Sequence, residues 1–267
     1  MSSQKTRAER RSVSASARSV DAFLGGRIDV VQPRRGHRAG SDAVFLAAAV
    51  PARPGESVLD VGAGVGVAGL CLLVRVPGLD VTAVEIDEEL CELASKNAER
   101  NEFAASFRVA KADVMGSAKS HREAGLVREA YDHVIANPPF YAEAAVRAAP
   151  DKARASAHVM GAGGLASWLR FLASYAAPKG RLTLIHRPEC LGELLSLLER
   201  RFGDVTVFPL FPKQGDAASR IIVQGRKGSR TGVSLLPGLV LHKADGRYTD
   251  EAEAVLRGGS ALPIGKN

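Results

Sequence analysis

The chain has 267 residues, a hydrophobic fraction of 46% and a net charge of +7 with a pI of about 9.5. That length suits one large domain with additions or two small ones, and the apolar fraction supports a full core. No uninterrupted apolar run reaches the length of a membrane span, the first twenty residues lack the apolar core of a secretory signal, and Cys71, Cys91 and Cys190 lack the paired spacing of a zinc site.

The scattered cysteines fit reduced cytoplasmic thiols. The basic balance suits a polyanion partner, although many soluble enzymes share it. Residues 1–27, with Arg7, Arg10, Arg11 and Arg18, read as a flexible basic arm. Residues 28–40 read as a flexible basic turn carrying Arg34, Arg35, His37 and Arg38 around two glycines. Ser41 is placed to N-cap an apolar, Ala-rich helix over residues 42–50, which Pro51 and Pro54 end.

Residues 58–61 form a compact apolar strand ending on Asp60 and Val61, followed by Gly62, Gly64 and Gly66 and then an apolar helix to about Val76. Strand, glycine turn and helix is a nucleotide-binding arrangement, because glycine lets the backbone approach a ligand closely. The spacing differs from the dinucleotide fingerprint and is weak by itself. Glu85 ends the next strand, 19 residues after Gly66, where an acid can take both hydroxyls of a ribose. A surface glutamate is the bland alternative. Asp87 then caps a helix with acids in its first turn and Lys96 and Arg100 near its end, following the helix dipole. A third strand near 106–109 leads to Asp113, which either accepts from an adenine amino group or caps the next segment.

The fourth strand stops at Asn137-Pro138-Pro139-Phe140-Tyr141. Two prolines cannot continue a ladder. The stretch is either a strand-ending turn or a rigid cradle. As a cradle, the Asn137 amide oxygen and the Pro138 carbonyl accept from one NH2 group, Phe140 stacks on its planar base and Tyr141 is a second stacking partner. Asp60, Glu85, Asp113 and Asn137 are spaced by 25, 28 and 24 residues. That is the pitch of repeated βα units, so all four should line one rim of one parallel sheet, the rim at which such sheets bind ligands.

Residues 142–163 read as a long loop with Arg147, Lys152, Arg154 and His158, and a loop of that size beside a site is usually functional. Leu165, Trp168, Leu169, Leu172 and Ala176 mark an amphipathic helix, with Trp168 in the core. A fifth strand covers 180–186, a helix carries Leu191 to Leu198, and strands at 205–209 and 220–223 form an antiparallel pair. Leu239–His242, a helix over about 249–257 and a tail over 258–267 complete the chain.

Five βα units with a closing antiparallel hairpin resemble the class I S-adenosylmethionine-dependent methyltransferases, an α/β Rossmann-like fold with a mostly parallel seven-stranded sheet. Residues 58–66 look like that family's first motif and Glu85 like its ribose-binding acid; Asn137-Pro138-Pro139-Phe140 is similar to the motif of enzymes that methylate planar nitrogens. Three places are most similar to the bacterial tRNA adenine-N6-methyltransferases acting 3′ of the anticodon in a valine tRNA. They are residues 36–42, the short chain without a large recognition domain, and residues 212–227. The stretch His37-Arg38-Ala39-Gly40 departs from the relatives, which tend to have an aromatic and a hydrophobic residue there.

The resemblance spans about 28–257 and implies S-adenosylmethionine held by Asp60, Gly62, Gly64, Gly66, Glu85 and Asp113 with Ser41 and Asp42. It implies RNA, in particular tRNA, as substrate, with phosphates met by Arg34, Arg35, Arg38, Lys152 and Arg154. It implies no metal, no membrane and a cytoplasmic enzyme. Methylation of guanine N2 or of a protein glutamine shares the motif and stays open. A non-catalytic RNA-binding protein would not need both motifs intact.

Overall fold

The computed structural model describes residues 18–34, 38–139 and 164–264. Phe140, Tyr141, Arg35, His37, Lys152 and Arg154 lie outside the described residues, as does the expected loop over 142–163.

Strands β3 (Ser57–Val61), β4 (Asp80–Glu85), β5 (Phe107–Lys111), β6 (Tyr131–Ala136) and β7 (Ala176–His186) run parallel in the order β5-β4-β3-β6-β7. β9 (Arg220–Lys227) adds antiparallel to β7, and β8 (Phe202–Lys213) antiparallel to β9. This is the expected seven-stranded arrangement. Two further strands, β10 (Val233–Leu235) and β11 (Leu239–His242), extend it to nine by pairing parallel along β8. β10 is short and mostly exposed, so no apolar alternation marks it in the sequence.

Side chains alternate across the sheet with a period of two. Val58, Ile135, Ile185 and Ile222 enter one core with helices α1 (Ser41–Ala49), α2 (Val67–Arg75) and α3 (Glu88–Arg100). Leu59, Val134, Leu184 and Val223 enter the other, with α5 (Gly164–Tyr175) and α6 (Leu191–Leu198); the short α4 (Ala118–Glu123) lies on the chain between β5 and β6. Burial on both faces explains why these strands read as continuous apolar runs. Ala43 to Ala49 of α1 are all buried, which fits a helix apolar on every side.

The N-terminal expectation needs correction. Residues 18–27, read as part of a loose arm, and the first part of the expected flexible turn form an antiparallel hairpin. It consists of β1 (Arg18–Phe23) and β2 (Ile28–Pro33). Two amide side chains, Asn97 of α3 and Asn101 at its C-cap, dock the edge of β2. Asn97 Oδ1 accepts from the Val31 N–H at 2.8 Å and its Nδ2 donates to the Val31 carbonyl at 3.0 Å. Asn101 does the same with Asp29, at 2.9 and 3.0 Å. The two asparagines thus stand in for a neighbouring strand and satisfy the edge. This hairpin depends on a helix some seventy residues away, so local sequence does not show it.

The cap of α1 is also different. Gly40 occupies the cap position with no side-chain bond, and Ser41 is the first helical residue. At the other end, the expected tail is partly docked. Helix α7 (Asp250–Leu256) is followed by Leu262 and Ile264, both buried, and the Leu262 N–H donates to the Ala48 carbonyl of α1 at 2.8 Å.

Candidate active site

The carboxyl ends of β3 and β6 open onto a cavity of about 340 Å³, within the usual range for a small-molecule or cofactor site. Its wall includes Gly62 and Gly64 of the glycine turn, Asp60, Ser41 and Asp42 at the start of α1, and Asn137. Seven expected residues from three separate stretches therefore meet in one place, counting Arg38 with these six.

The turn is held by its backbone. The Gly62 and Ala63 N–H groups donate to the Val84 carbonyl of β4 at 2.8 and 3.0 Å. Gly62 has φ +69°, and a Cβ there would lie 2.5 Å from Cη2 of Trp168, so the buried indole of α5 closes the turn from below. Gly64 has φ +57° and open space where a Cβ would stand. It is the place where a ligand can approach the backbone.

Glu85 is 8% exposed, and its carboxylate braces this turn. Oε2 accepts from the Gly64 N–H at 2.9 Å, and Oε1 from the N–H groups of Ile86 and Asp87 at 2.8 and 3.0 Å. A carboxylate has about four acceptor positions, so one remains on Oε2 for an incoming hydroxyl. Taking both ribose hydroxyls would require release of a backbone partner.

Asp60 is 2% exposed, and Oδ2 accepts from the Gly69 N–H of α2 at 3.2 Å. Burial pushes its carboxyl up to about 7; the Gly69 bond opposes this and the nearby Glu85 charge adds to it. A cationic ligand in the cavity would favour the ionised form.

The front wall is tied back to the hairpin. Asp21 Oδ2 accepts from Ser19 Oγ, Gln32 Nε2 and Arg38 Nη2 at 2.9, 2.8 and 2.6 Å. Gln32, 1% exposed, accepts the Ala39 N–H on Oε1 at 3.0 Å. Arg38 also donates to the Pro33 carbonyl at 2.9 Å, so this cation is engaged in shaping the loop. Arg34 Nε donates to the Arg18 carbonyl at 2.9 Å. Asp42 pairs with Arg220 at 2.7 Å. Because β9 runs antiparallel, its first residue Arg220 reaches the rim where the parallel strands end.

Asn137 follows β6 directly. Its Oδ1 is buried and has no hydrogen-bond partner among the described residues, while Pro138 is buried behind it. An unmade bond of this kind costs about 1–3 kcal/mol, and a ligand N–H would satisfy it. Asp113 is different. It is exposed and is not part of the cavity wall; its Oδ1 accepts from the Met115 N–H at 2.8 Å, making a local turn.

Sequence reading missed Arg220, Gly69, Asp21, Gln32 and Asn97 as parts of this site. Gly69 had a faint signal, as a glycine inside an apolar helix where a Cβ would lie 2.7 Å from Phe107. Among the described residues no group of three or more His, Cys, Asp or Glu could hold a metal ion, and no helix is long and apolar enough to cross a membrane.

A glycine turn between a buried carboxylate and a second one at the next strand's end, on this strand order, defines a Rossmann-like transferase with a nucleoside cofactor. Residues 38–166 match the methyltransferase small domain family. A tRNA1(Val) (adenine(37)-N6)-methyltransferase of Porphyromonas gingivalis is 28% identical over 245 residues, covering 87% of this chain and 92% of the relative. One of Tolumonas auensis is 26% identical over 239 residues, covering 86% and 92%. Among solved structures, a predicted O-methyltransferase from Agrobacterium tumefaciens is 29% identical with a TM-score of 0.70, over 83% of this chain and 98% of that one. The fold is that of the class I S-adenosylmethionine-dependent methyltransferases, and the chain is similar to such enzymes over most of its length. The cavity fits that cofactor: the open Gly64 and the Asp60 carboxyl line it, and Glu85 stands behind the turn, bonded to the Gly64 N–H.

Proposed function

We propose that the chain methylates the exocyclic N6 of an adenosine in tRNA, 3′ of the anticodon, in the cytoplasm. The observation that carries this reading is the buried, unpartnered Asn137 Oδ1 on the wall shared with the glycine turn. The names of relatives aligned over most of the chain support adenine over guanine N2 or a protein glutamine.

S-adenosylmethionine supplies an electrophilic methyl group when bound. The glycine turn, Glu85 and Asp60 hold and orient it, with Ser41 and Asp42 on the facing wall. The acceptor amine is a poor nucleophile because its lone pair is delocalised into the ring. Asn137 Oδ1 and the Pro138 carbonyl accept its two N–H bonds. That draws the nitrogen towards a tetrahedral arrangement and directs its lone pair at the reaction centre. The two prolines fix both acceptors before substrate arrives, so catalysis rests on positioning and preorganised dipoles. Phe140 would stack on the base, with Tyr141 beside it, once the base has left its own stack. The amine's proton passes to solvent after transfer, since no buried base is needed for a cationic product.

The test is mass spectrometry of nucleosides from total tRNA with and without the gene. Loss of N6-methyladenosine is expected. Unchanged N6-methyladenosine with loss of N2-methylguanosine would move the assignment to guanine, and no change in either would point away from RNA.

A further inference from the structure

The cations at the rim described above are engaged: Arg38 with Asp21, Arg34 with the Arg18 carbonyl and Arg220 with Asp42. The opposite, amino-terminal end of the sheet is different. Arg181 of β7 stands directly across from Arg226 of β9. Directly opposed like charges destabilise an antiparallel pair. The Gly228 N–H donates to the Arg201 carbonyl at 3.0 Å, which brings the turn after β9 against the turn before β8. Those two turns carry Arg230 and the pair Arg200 and Arg201, all exposed. Among the described residues none of these five guanidinium groups has an ion pair or side-chain hydrogen bond.

The acids nearby do not neutralise them. Glu129 is taken by Lys227 at 2.9 Å. Asp132 accepts from the N–H and Oγ of Ser57 at 2.9 and 2.8 Å, and Asp204 is engaged. Glu56 is bonded at 2.9 Å to His133, which stands across from Arg181 on β6 and β7, and Glu199 is exposed beside Arg200. A concentration of unpaired arginine, with a repulsive cross-strand pair retained inside a sheet, is complementary to a polyanion.

The distance identifies the kind of polyanion. At about 3.3 Å per residue along the strands, this patch lies on the order of 20 Å from the Asn137 rim. A nucleotide or short peptide held at Asn137 cannot reach it, whereas a folded RNA can follow the edge of the sheet to it. We infer that the amino-terminal rim of β7, β8 and β9 is a second contact surface for the RNA substrate. It binds phosphates of a part of the RNA remote from the methylated base. This rests on the RNA reading above and adds where the body of the molecule is held.

The experiment compares full-length protein with a variant carrying Arg200→Gln, Arg226→Gln and Arg230→Gln. Both are titrated with unmodified tRNA and with its anticodon stem-loop over a range of salt, and single-turnover methylation is followed. Wild type should bind whole tRNA more tightly than the stem-loop. The variant should lose on the order of tenfold in affinity for whole tRNA. Its salt slope should be shallower by about 0.7–0.9 for each phosphate that is no longer neutralised. Binding of the stem-loop, its methylation at saturation and affinity for S-adenosylhomocysteine should stay as in wild type. The corresponding triple Arg→Lys variant keeps the charge and should bind tRNA like wild type, which separates charge from folding. An unaltered salt slope in the Gln variant overturns the inference and leaves a solvated face or an acidic protein partner. If wild type methylates neither RNA, the substrate reading falls. The surface is still decided by whether tRNA binding drops in the variant.

Discussion

The two ends of one sheet handle charge in opposite ways. At the carboxyl rim nearly every charged group has a partner: Glu85 takes three backbone N–H groups, Asp21 takes Arg38, and Asp42 takes Arg220. Among the described residues, the unmade bond there is at a neutral amide oxygen, Asn137 Oδ1. At the amino rim Arg200, Arg201, Arg226 and Arg230 are exposed and have no ion pair among the described residues. Chemistry on a single base needs acceptors fixed to a fraction of an ångström, and paired neighbours supply that stiffness. Holding a long anion needs only local charge, and flexible arginines suffice. The same fold thus separates recognition of one amine from retention of a large substrate.

The comparison breaks most sharply at Asn137. Asn137→Ala keeps the proline turn but deletes one of two acceptors, so turnover should fall by about 100-fold or more, as for loss of one preorganised group. Cofactor affinity should barely move, because the glycine turn and Glu85 are untouched. Single-turnover methyl transfer to unmodified tRNA, with cofactor affinity measured separately, checks both. A near-wild-type rate would return Asn137 to the role of ending a strand.

Glu85→Ala should act on the other quantity. It removes a charged acceptor and the brace on Gly64, at roughly 1.5–3 kcal/mol, or about tenfold to a hundredfold in affinity for S-adenosylhomocysteine. Calorimetry reads this directly. Unchanged affinity would remove Glu85 from the cofactor site.

For Asp60 the readout is neither rate nor cofactor affinity but a pH profile of stability. Its folded carboxyl titrates at about 7 against 3.8 for the unperturbed group. A group raised in this way contributes its full stability below about pH 4 and loses it as pH rises towards 7, where the unfolded chain ionises and the buried group resists. Asp60→Asn should flatten that part of the curve. Relative to the variant, the melting temperature of ligand-free wild type should drop by on the order of ten degrees between pH 4 and 7. Parallel curves for the two proteins would show that Asp60 is not held neutral.

Much of the rim was legible because a period does the work. Strands buried on both faces give apolar runs, and crossover helices repeat at a regular pitch, so Asp60, Glu85 and Asn137 could be placed on one edge from spacing alone. Neither Glu85 nor Asp113 lines the cavity itself; Glu85 braces the Gly64 turn, whereas Asp113 lies away from it. Its side chain is captured by a backbone N–H two residues on, a local competition that spacing does not report. Arg38, expected to contact phosphates, also braces through Asp21 a hairpin that local sequence did not reveal.

The sequence by itself determined the repeated parallel βα units, the glycine turn and the proline stop after β6, because each depends on residues close together in the chain. Only the tertiary structure decided what those groups touch. Asn97 and Asn101 complete the edge of a hairpin some seventy positions away, Trp168 closes the turn under Gly62, and β9 reverses to bring Arg220 to Asp42. It also set Arg181 across from Arg226, forty-five positions apart. Side-chain hydrogen bonds and like-charge contacts between distant segments have no period in the sequence. They exist only once burial of the two cores has fixed the register of every strand.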